Sequence, residues 1–363
     1  MKNRLSSFLG LSCNGLRREQ GRQPMKAAIC EKPFEITIGE VQVPTPGPDE
    51  LLIQVKASAI CGSDMKAYEG KHPLIRLPII LGHEFAGVIV EKGSQVDGFK
   101  VGERVVVEPS SVCGQCFFCQ RMQYSLCDNL KQLGHQLPGS FAEYTVAKAR
   151  FTYLLPNGTP FEKGALAQPL AISIHALHRA GIRKGQTVLI LGTGTIGLLL
   201  LQLAFQKGGR VFVSDLVEFK LEKAKALGAH HVWKGSSPEM IEEIKSYTNG
   251  LGADVVIEAA GSSATIQQAF SAVRKGGTVL LLGVTGHPKE EVPLERVTLD
   301  ELNLHGTMRY AMGDFPEAIE MIHQKSIDLD SLILKRFTLE ETPRIFKETF
   351  QSPEKALKSV MIA

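Results

Sequence analysis

Residues 187–206 run Thr-Val-Leu-Ile-Leu, then Gly192-Thr193-Gly194-Thr195-Ile196-Gly197, then an apolar stretch of helix length from Leu198 to Gln206. A strand-length run, three glycines spaced G-x-G-x-x-G and a helix leave little freedom in how the chain can fold. Gly192 permits a tight turn, Gly194 lets the backbone approach a pyrophosphate, and Gly197 allows helix and strand to pack closely. With Thr195 and Ile196, the last two glycines form a helix N-terminus whose free N–H groups and positive dipole suit phosphates. Alone the motif is weak evidence, and its surroundings carry it. Apolar strand cores recur at Thr187–Leu191, Val211–Ser214, His230–Trp233, Asp254–Glu258, Thr278–Gly283 and Asn303–His305, mostly separated by helix-length segments. That alternation predicts βαβ units in a doubly wound parallel sheet of the Rossmann kind. Asp215 closes the second core, 23 residues after Gly192. A carboxylate there bonds the adenosine ribose hydroxyls and repels an added phosphate, which favours NAD over NADP, unless Asp215 is simply a turn acid. Lys220 either approaches the adenosine end or is a solvated helix lysine.

The preceding part of the chain has a different texture. Leu51–Ala57, Ala86–Glu91, Arg104–Glu108 and Ala142–Ala147 read as short strands divided by proline- and glycine-rich loops. Residues 113–127 hold Cys113, Cys116, Cys119 and Cys127 in a C-x2-C-x2-C-x7-C spacing. Four thiolates so close can fill every position of a tetrahedral Zn²⁺ and make it structural, the alternatives being disulfides or an iron–sulfur cluster. Cys61 and His83 supply two further ligands of the type a catalytic zinc uses, though either residue is also common in a core.

At 363 residues the chain exceeds the usual size of a single core, so two domains are expected. Residues 1–24 carry five basic residues and one acidic, and without them the net charge of +3 becomes −1. A body so nearly neutral gives no reason to expect a nucleic-acid partner. The longest apolar run, Ile196–Phe205, is too short to span a bilayer, so no membrane partner is expected. The first 24 residues lack a signal-peptide core and read as a disordered or mis-started extension, with a targeting peptide as the alternative. An odd number of cysteines, seven, in a chain with no secretory signal points to thiols and metal ligands in a reducing compartment, the cytoplasm.

Taken together, Cys61-Gly62-Ser63-Asp64, the Gly82-His83-Glu84 signature through Gly87, Gly93 and Val96, Gly102-Glu103-Arg104-Val105, the four-cysteine loop, Phe141-Ala142-Glu143-Tyr144, the glycine motif and Met308-Arg309-Tyr310 resemble the zinc-dependent medium-chain alcohol dehydrogenases. Within them the resemblance is to the sorbitol (polyol) dehydrogenase branch, and it runs from about Met25 to the C-terminus. It implies a GroES-like, mostly β catalytic domain over 25–170 and 308–363, with a Rossmann NAD-binding domain over 171–307 between its parts. It also implies two Zn²⁺ per chain, one catalytic and one structural, and a homodimer or homotetramer.

Carried over to this chain, the resemblance makes Cys61 and His83 ligands of the catalytic zinc, with Glu84 binding the metal or orienting its surroundings. Ser63 would take the alcohol proton. Arg309 and Tyr310 would lie beside the polyol, their other reading being a salt-bridged arginine and a packing tyrosine. Two positions depart from the family pattern. Lys66 stands where many relatives have a relay histidine, with Tyr68 and His72 as weaker substitutes, and Gln168 stands where many polyol dehydrogenases have a glutamate. The implied reaction is hydride transfer between NAD and a secondary alcohol of a polyol, sugar or cyclitol. Threonine 3-dehydrogenase-, butanediol dehydrogenase- and hexitol-phosphate dehydrogenase-like activities are the alternatives, and a non-catalytic dinucleotide-binding protein is the alternative outside enzymes.

Overall fold

The computed structural model describes residues 23–235, 238–286 and 289–363. Nearly all of the N-terminal extension, Cys13 included, lies outside them. Contacts divide the chain into two compact units, one made of the residues up to Gln168 together with Ile333–Ala363, the other of Pro169–Leu332.

The first unit is built around the strand Glu50–Ala59, in which seven of ten residues are buried. It pairs antiparallel with Glu84–Lys92, Tyr144–Lys148 and the C-terminal strand Lys358–Ile362. With Thr152–Leu154, Arg104–Val107 and Ile333–Phe337 these complete a seven-stranded sheet. A hairpin of Met25–Lys32 and Glu35–Val41, extended by Ile79–Ile80, forms a second sheet. Ile53, Phe85, Ile89, Val105, Phe141 and Phe346 fill the core of this unit. Each large apolar side chain so buried contributes on the order of 1.5–3 kcal/mol.

The second unit holds six parallel strands in the order His231–Lys234, Arg210–Asp215, Thr187–Leu191, Ala253–Glu258, Val273–Leu281, Asn303–Gly306. Chain order reverses between Thr187–Leu191 and Ala253–Glu258, which in such sheets opens a crevice at the carboxyl ends of the strands. The central strand is buried along its whole length, as a sheet covered on both faces requires. The helix Thr195–Gln206 follows it and buries Gly197 through Ala204.

The start of this unit falls two residues before the expected 171, and its end differs more. The return to the first unit, expected at 308, comes after Leu332. Residues 308–332 stay with the parallel sheet because the helix Asp314–His323 is tied there. Its Asp314 carboxylate lies 3.0 Å from His175 Nδ1 and 3.3 Å from His178 Nδ1, both on the helix Ala167–Ala180. Gln202 adds a second tie by accepting the Asp328 N–H at 2.7 Å.

Candidate functional site

Cys61 and His83 are brought together by two paired strands, one ending just before Cys61 and the other beginning just after His83. Cys61 caps the short helix Gly62–Tyr68 just beyond Glu50–Ala59, and His83 stands immediately before Glu84–Lys92. A Cys61 sulfur, a His83 ring nitrogen and a Glu84 carboxylate oxygen all lie within 4.8 Å of one another. His83 and Glu84 are almost fully buried.

Asp64 organises this cluster. Its carboxylate accepts the Cys61 N–H at 2.9 Å and the Gly82 N–H at 3.2 Å, and it lies 3.4 Å from His83 Nδ1. The same side chain therefore fixes both ligand-bearing segments, and it faces His83 Nδ1, which has no hydrogen-bond partner among the described residues, leaving Nε2 for a ligand. Burial disfavours the charged forms of both residues. Nevertheless Asp64 is held below its usual carboxylate pKa by the His83 charge, while Asp64 and Cys61 raise His83 well above its ordinary value. A carboxylate and a sulfur that favour positive charge at this imidazole would equally favour a cation, and a thiolate–imidazole donor set fits Zn²⁺.

Glu84 has a different partner. Both of its oxygens lie 2.6 Å from the Lys358 ammonium, which also donates to the Ile60 carbonyl at 3.1 Å. Burial works against the charge on Lys358, but Glu84 and Cys61 more than offset it and raise its pKa. A strand from the far end of the chain thus neutralises the acid next to the candidate ligands.

Other buried polar atoms have no hydrogen-bond partner among the described residues. In the first unit these include Ser63 Oγ and Gln168 Oε1. Burying an unpaired polar atom costs free energy, so such atoms suit a site that bonds a ligand. Lys66 is exposed on the helix that begins after Cys61, while Tyr68 is buried.

Four sulfurs form the other cluster, with Cys113, Cys116, Cys119 and Cys127 all within 4.8 Å of one another. Cys127 and Cys113 are 3.5 Å apart and Cys113 and Cys119 are 4.0 Å apart, close to the edges of about 3.8 Å expected of a zinc tetrahedron with 2.3 Å bonds. Backbone N–H groups pull Cys116 down to about 6, whereas desolvation and neighbouring sulfurs push Cys119 up to about 12. Thiolates this close repel one another, and a bound cation would let all four ionise. Tyr124, inside this lobe, donates to the buried Glu108 carboxylate at 3.0 Å, and Tyr153 donates to the same oxygen at 3.2 Å.

In the second unit the glycine motif lies at the carboxyl end of the central strand. A Cβ on Gly197 would fall 1.9 Å from the Gly192 carbonyl, so only glycine permits this approach of helix to turn. Asp215 accepts the Thr193 N–H at 2.6 Å and the Val217 N–H at 2.9 Å, which ties the end of the second strand to the glycine turn. Gly194, Thr195 and Ile196 are partly accessible at the helix start, and Lys220 is half-buried just beyond Asp215. Arg309 has φ 60° and a buried Nε with no partner among the described residues, and burial lowers its pKa. Tyr310 is fully buried with its ring edge-on to Phe315.

Two contributors went unassigned in the sequence. Asp64 had a usable signal, since an acid three residues after a helix cap is the pattern of a capping box. Lys358 had none, because it reaches Glu84 across 274 residues.

Comparison with known proteins bears on the same residues. Residues 47–157 match the family described as "Alcohol dehydrogenase GroES-like domain", and residues 195–324 match "Zinc-binding dehydrogenase". The chain is 37% identical to a sorbitol dehydrogenase of Bacillus subtilis over 93% of its own length and 96% of that protein. It is 32% identical to a D-arabitol-phosphate dehydrogenase of Enterococcus avium, covering 87% of this chain and 91% of the other. A solved zinc-binding dehydrogenase from Sinorhizobium meliloti, bound to NADP, superposes with a TM-score of 0.87 at 34% identity, over 94% of this chain and all of the other.

Proposed function

The chain belongs to the zinc-dependent medium-chain alcohol dehydrogenases, and we propose that it oxidises a secondary alcohol of a polyol, sugar or cyclitol with NAD, or reduces the matching ketone. The observation that supports this most is the pairing of Cys61 with the buried His83, both tied to the Asp64 carboxylate. Cys61 and His83 would hold the catalytic zinc. Glu84, paired to Lys358, would shape the field around them and not bind the metal directly. When bound, zinc supplies Lewis-acid chemistry that lowers the pKa of the alcohol. The Ser63 hydroxyl, buried and unpartnered, would accept the alcohol proton and pass it outward, and Gln168 would offer its unpartnered amide oxygen as an acceptor. Gln168 leaves the site one unit less negative than a glutamate would, which favours the ionised alcohol. Arg309, a cation with a free buried N–H on a strained left-handed backbone, would bond polyol hydroxyls. Tyr310 would support it through packing against Phe315.

The second metal, structural, would be held by Cys113, Cys116, Cys119 and Cys127. Gly192, Gly194, Thr195, Ile196 and Gly197 would receive the pyrophosphate. Asp215 supports NAD as the coenzyme because its neighbour Leu216 is apolar and exposed and offers no cation to a 2′-phosphate. Lys220 would approach the adenosine end.

A homodimer or homotetramer is supported by the edge strand Asn303–Gly306, which pairs on one side only among the described strands, and by Leu294, Leu299 and Leu304 exposed near it. A cytoplasmic location keeps the six described cysteines as the thiols they are. No helix among the described residues is long and apolar enough to cross a membrane.

The experiment is NADH and NADPH formation across sorbitol, xylitol, inositols, threonine, butanediol and hexitol phosphates. Turnover on unphosphorylated polyols with NAD supports the proposal. Turnover confined to a phosphorylated polyol, threonine or butanediol moves the enzyme to that alternative, and no turnover on any of them would refute it.

A further inference from the structure

A metal-ligating imidazole needs two things fixed, its tautomer and the plane of its ring. The carboxylate of Asp64, 3.4 Å from Nδ1, bears on the first. The second is a soft torsion with broad minima, and rotation about it swings Nε2 away from the metal.

His135 lies where it would control that torsion. Its ring centroid is 5.0 Å from that of His83 with the planes 79° apart, an edge-to-face contact. It is 8% exposed, and beyond it His72 makes a second edge contact at 4.9 Å. His135 is not among the residues whose ligand atoms converge with Cys61 and His83, so it touches the ligand and not the ligand site.

The loop that carries it is fastened to the segment leading into His83. Gly139 donates to the Ile80 carbonyl at 2.8 Å, Ser140 to Gly82 at 3.0 Å and Phe141 to Leu81 at 3.0 Å. The approach is close enough to exclude side chains. A Cβ on Gly134 would fall 2.5 Å from the Gly82 carbonyl oxygen, and one on Gly139 would fall 2.3 Å from the same atom. At its outer side the loop is held by Gln136, which accepts the Gln132 N–H at 3.0 Å and donates to the Leu74 carbonyl at 3.2 Å. A loop pinned at both ends against the ligand segment presents one ring to one ring.

We propose that His135 is a positioning residue for the catalytic metal, fixing the ring plane of His83 through edge-to-face packing so that Nε2 keeps its direction. The inference rests on the reading of Cys61 and His83 as ligands of the catalytic zinc. It predicts that an aromatic ring at position 135 is required.

The test compares wild type, His135→Ala, His135→Gln and His135→Phe as full chains. Zinc is titrated away with a competing chelator, and the absorption of the cobalt-substituted proteins is recorded. His135→Ala and His135→Gln should weaken the more labile zinc roughly 10- to 100-fold, the usual effect of losing a supporting residue, and should alter the cobalt d–d bands. His135→Phe should restore the wild-type spectrum and hold the metal within a few-fold of wild type. The four-cysteine metal, retained throughout, reports that each variant is folded, and if His135→Ala fails to fold the decision falls to Phe against Gln. The inference is overturned if removal of the ring leaves affinity and spectrum unchanged, or if Phe is as weak as Gln. A wild-type chain that binds one zinc and oxidises no polyol would overturn the functional reading itself.

Discussion

The two ligand clusters are built in opposite ways. The four cysteines come from one stretch of fifteen residues, 113–127, whose local turns carry all the sulfurs to one point. The Cys61–His83 cluster draws on the end of one strand, the start of another, a short helix and the terminal strand that brings Lys358. A self-contained lobe suits a metal whose task is to hold a loop together. A cluster spread over the sheet inherits the rigidity of the whole unit and keeps its surroundings, including charge, under separate control.

That contrast can be broken most forcefully at Lys358. Lys358→Met leaves Glu84 charged, buried and unpaired, and should lower the unfolding free energy by about 3–5 kcal/mol in urea titration. The double variant Lys358→Met with Glu84→Gln should recover part of this, because it removes the orphaned charge as well. Equal losses in the single and double variants would mean that the ion pair is not what Lys358 contributes.

The lobe has its own attachment at Glu108, reached by Tyr124 from inside it. Burial raises this carboxyl from an ordinary 4.5 to about 7, since the hydrogen bonds from Tyr124, Ser110 and Tyr153 only partly offset desolvation. Its contribution to stability is complete below pH 4.5 and fades as pH rises through 7, because the unfolded chain ionises more readily. Glu108→Gln should therefore gain on wild type by about 2.5 kcal/mol between pH 5 and pH 8. Parallel stability profiles for the two proteins would show that Glu108 titrates normally.

The smallest expected effect separates the clusters most cleanly. Asp64→Asn should weaken zinc at Cys61 and His83 about 10- to 100-fold and leave the four-cysteine metal untouched. Chelator competition that releases both metals equally, or neither sooner than in wild type, would contradict the role given to Asp64.

Legibility in the sequence followed the same division. Strand cores such as Thr187–Leu191 and the glycine turn after them could be read directly, because hydrophobic runs and φ-demanding turns are local. The cysteine spacing was equally plain. The hairpin Met25–Lys32 with Glu35–Val41 left a fainter trace, since much of its second strand is partly exposed. The retention of 308–332 by the second unit depends on Asp314 meeting two histidines more than a hundred residues earlier, and no local pattern encodes that. The same holds for Lys358 with Glu84 and for His135 against His83. Those contacts are set by how strands are ordered in a sheet and how loops lie across it.

The most direct measurement is zinc per chain and polyol-dependent NADH formation, made side by side on wild type and Cys61→Ser. Two zincs in wild type, one in the variant and loss of turnover would agree with a catalytic metal at Cys61 and His83 and a structural one at the four cysteines. Two zincs in both proteins with turnover intact would contradict it.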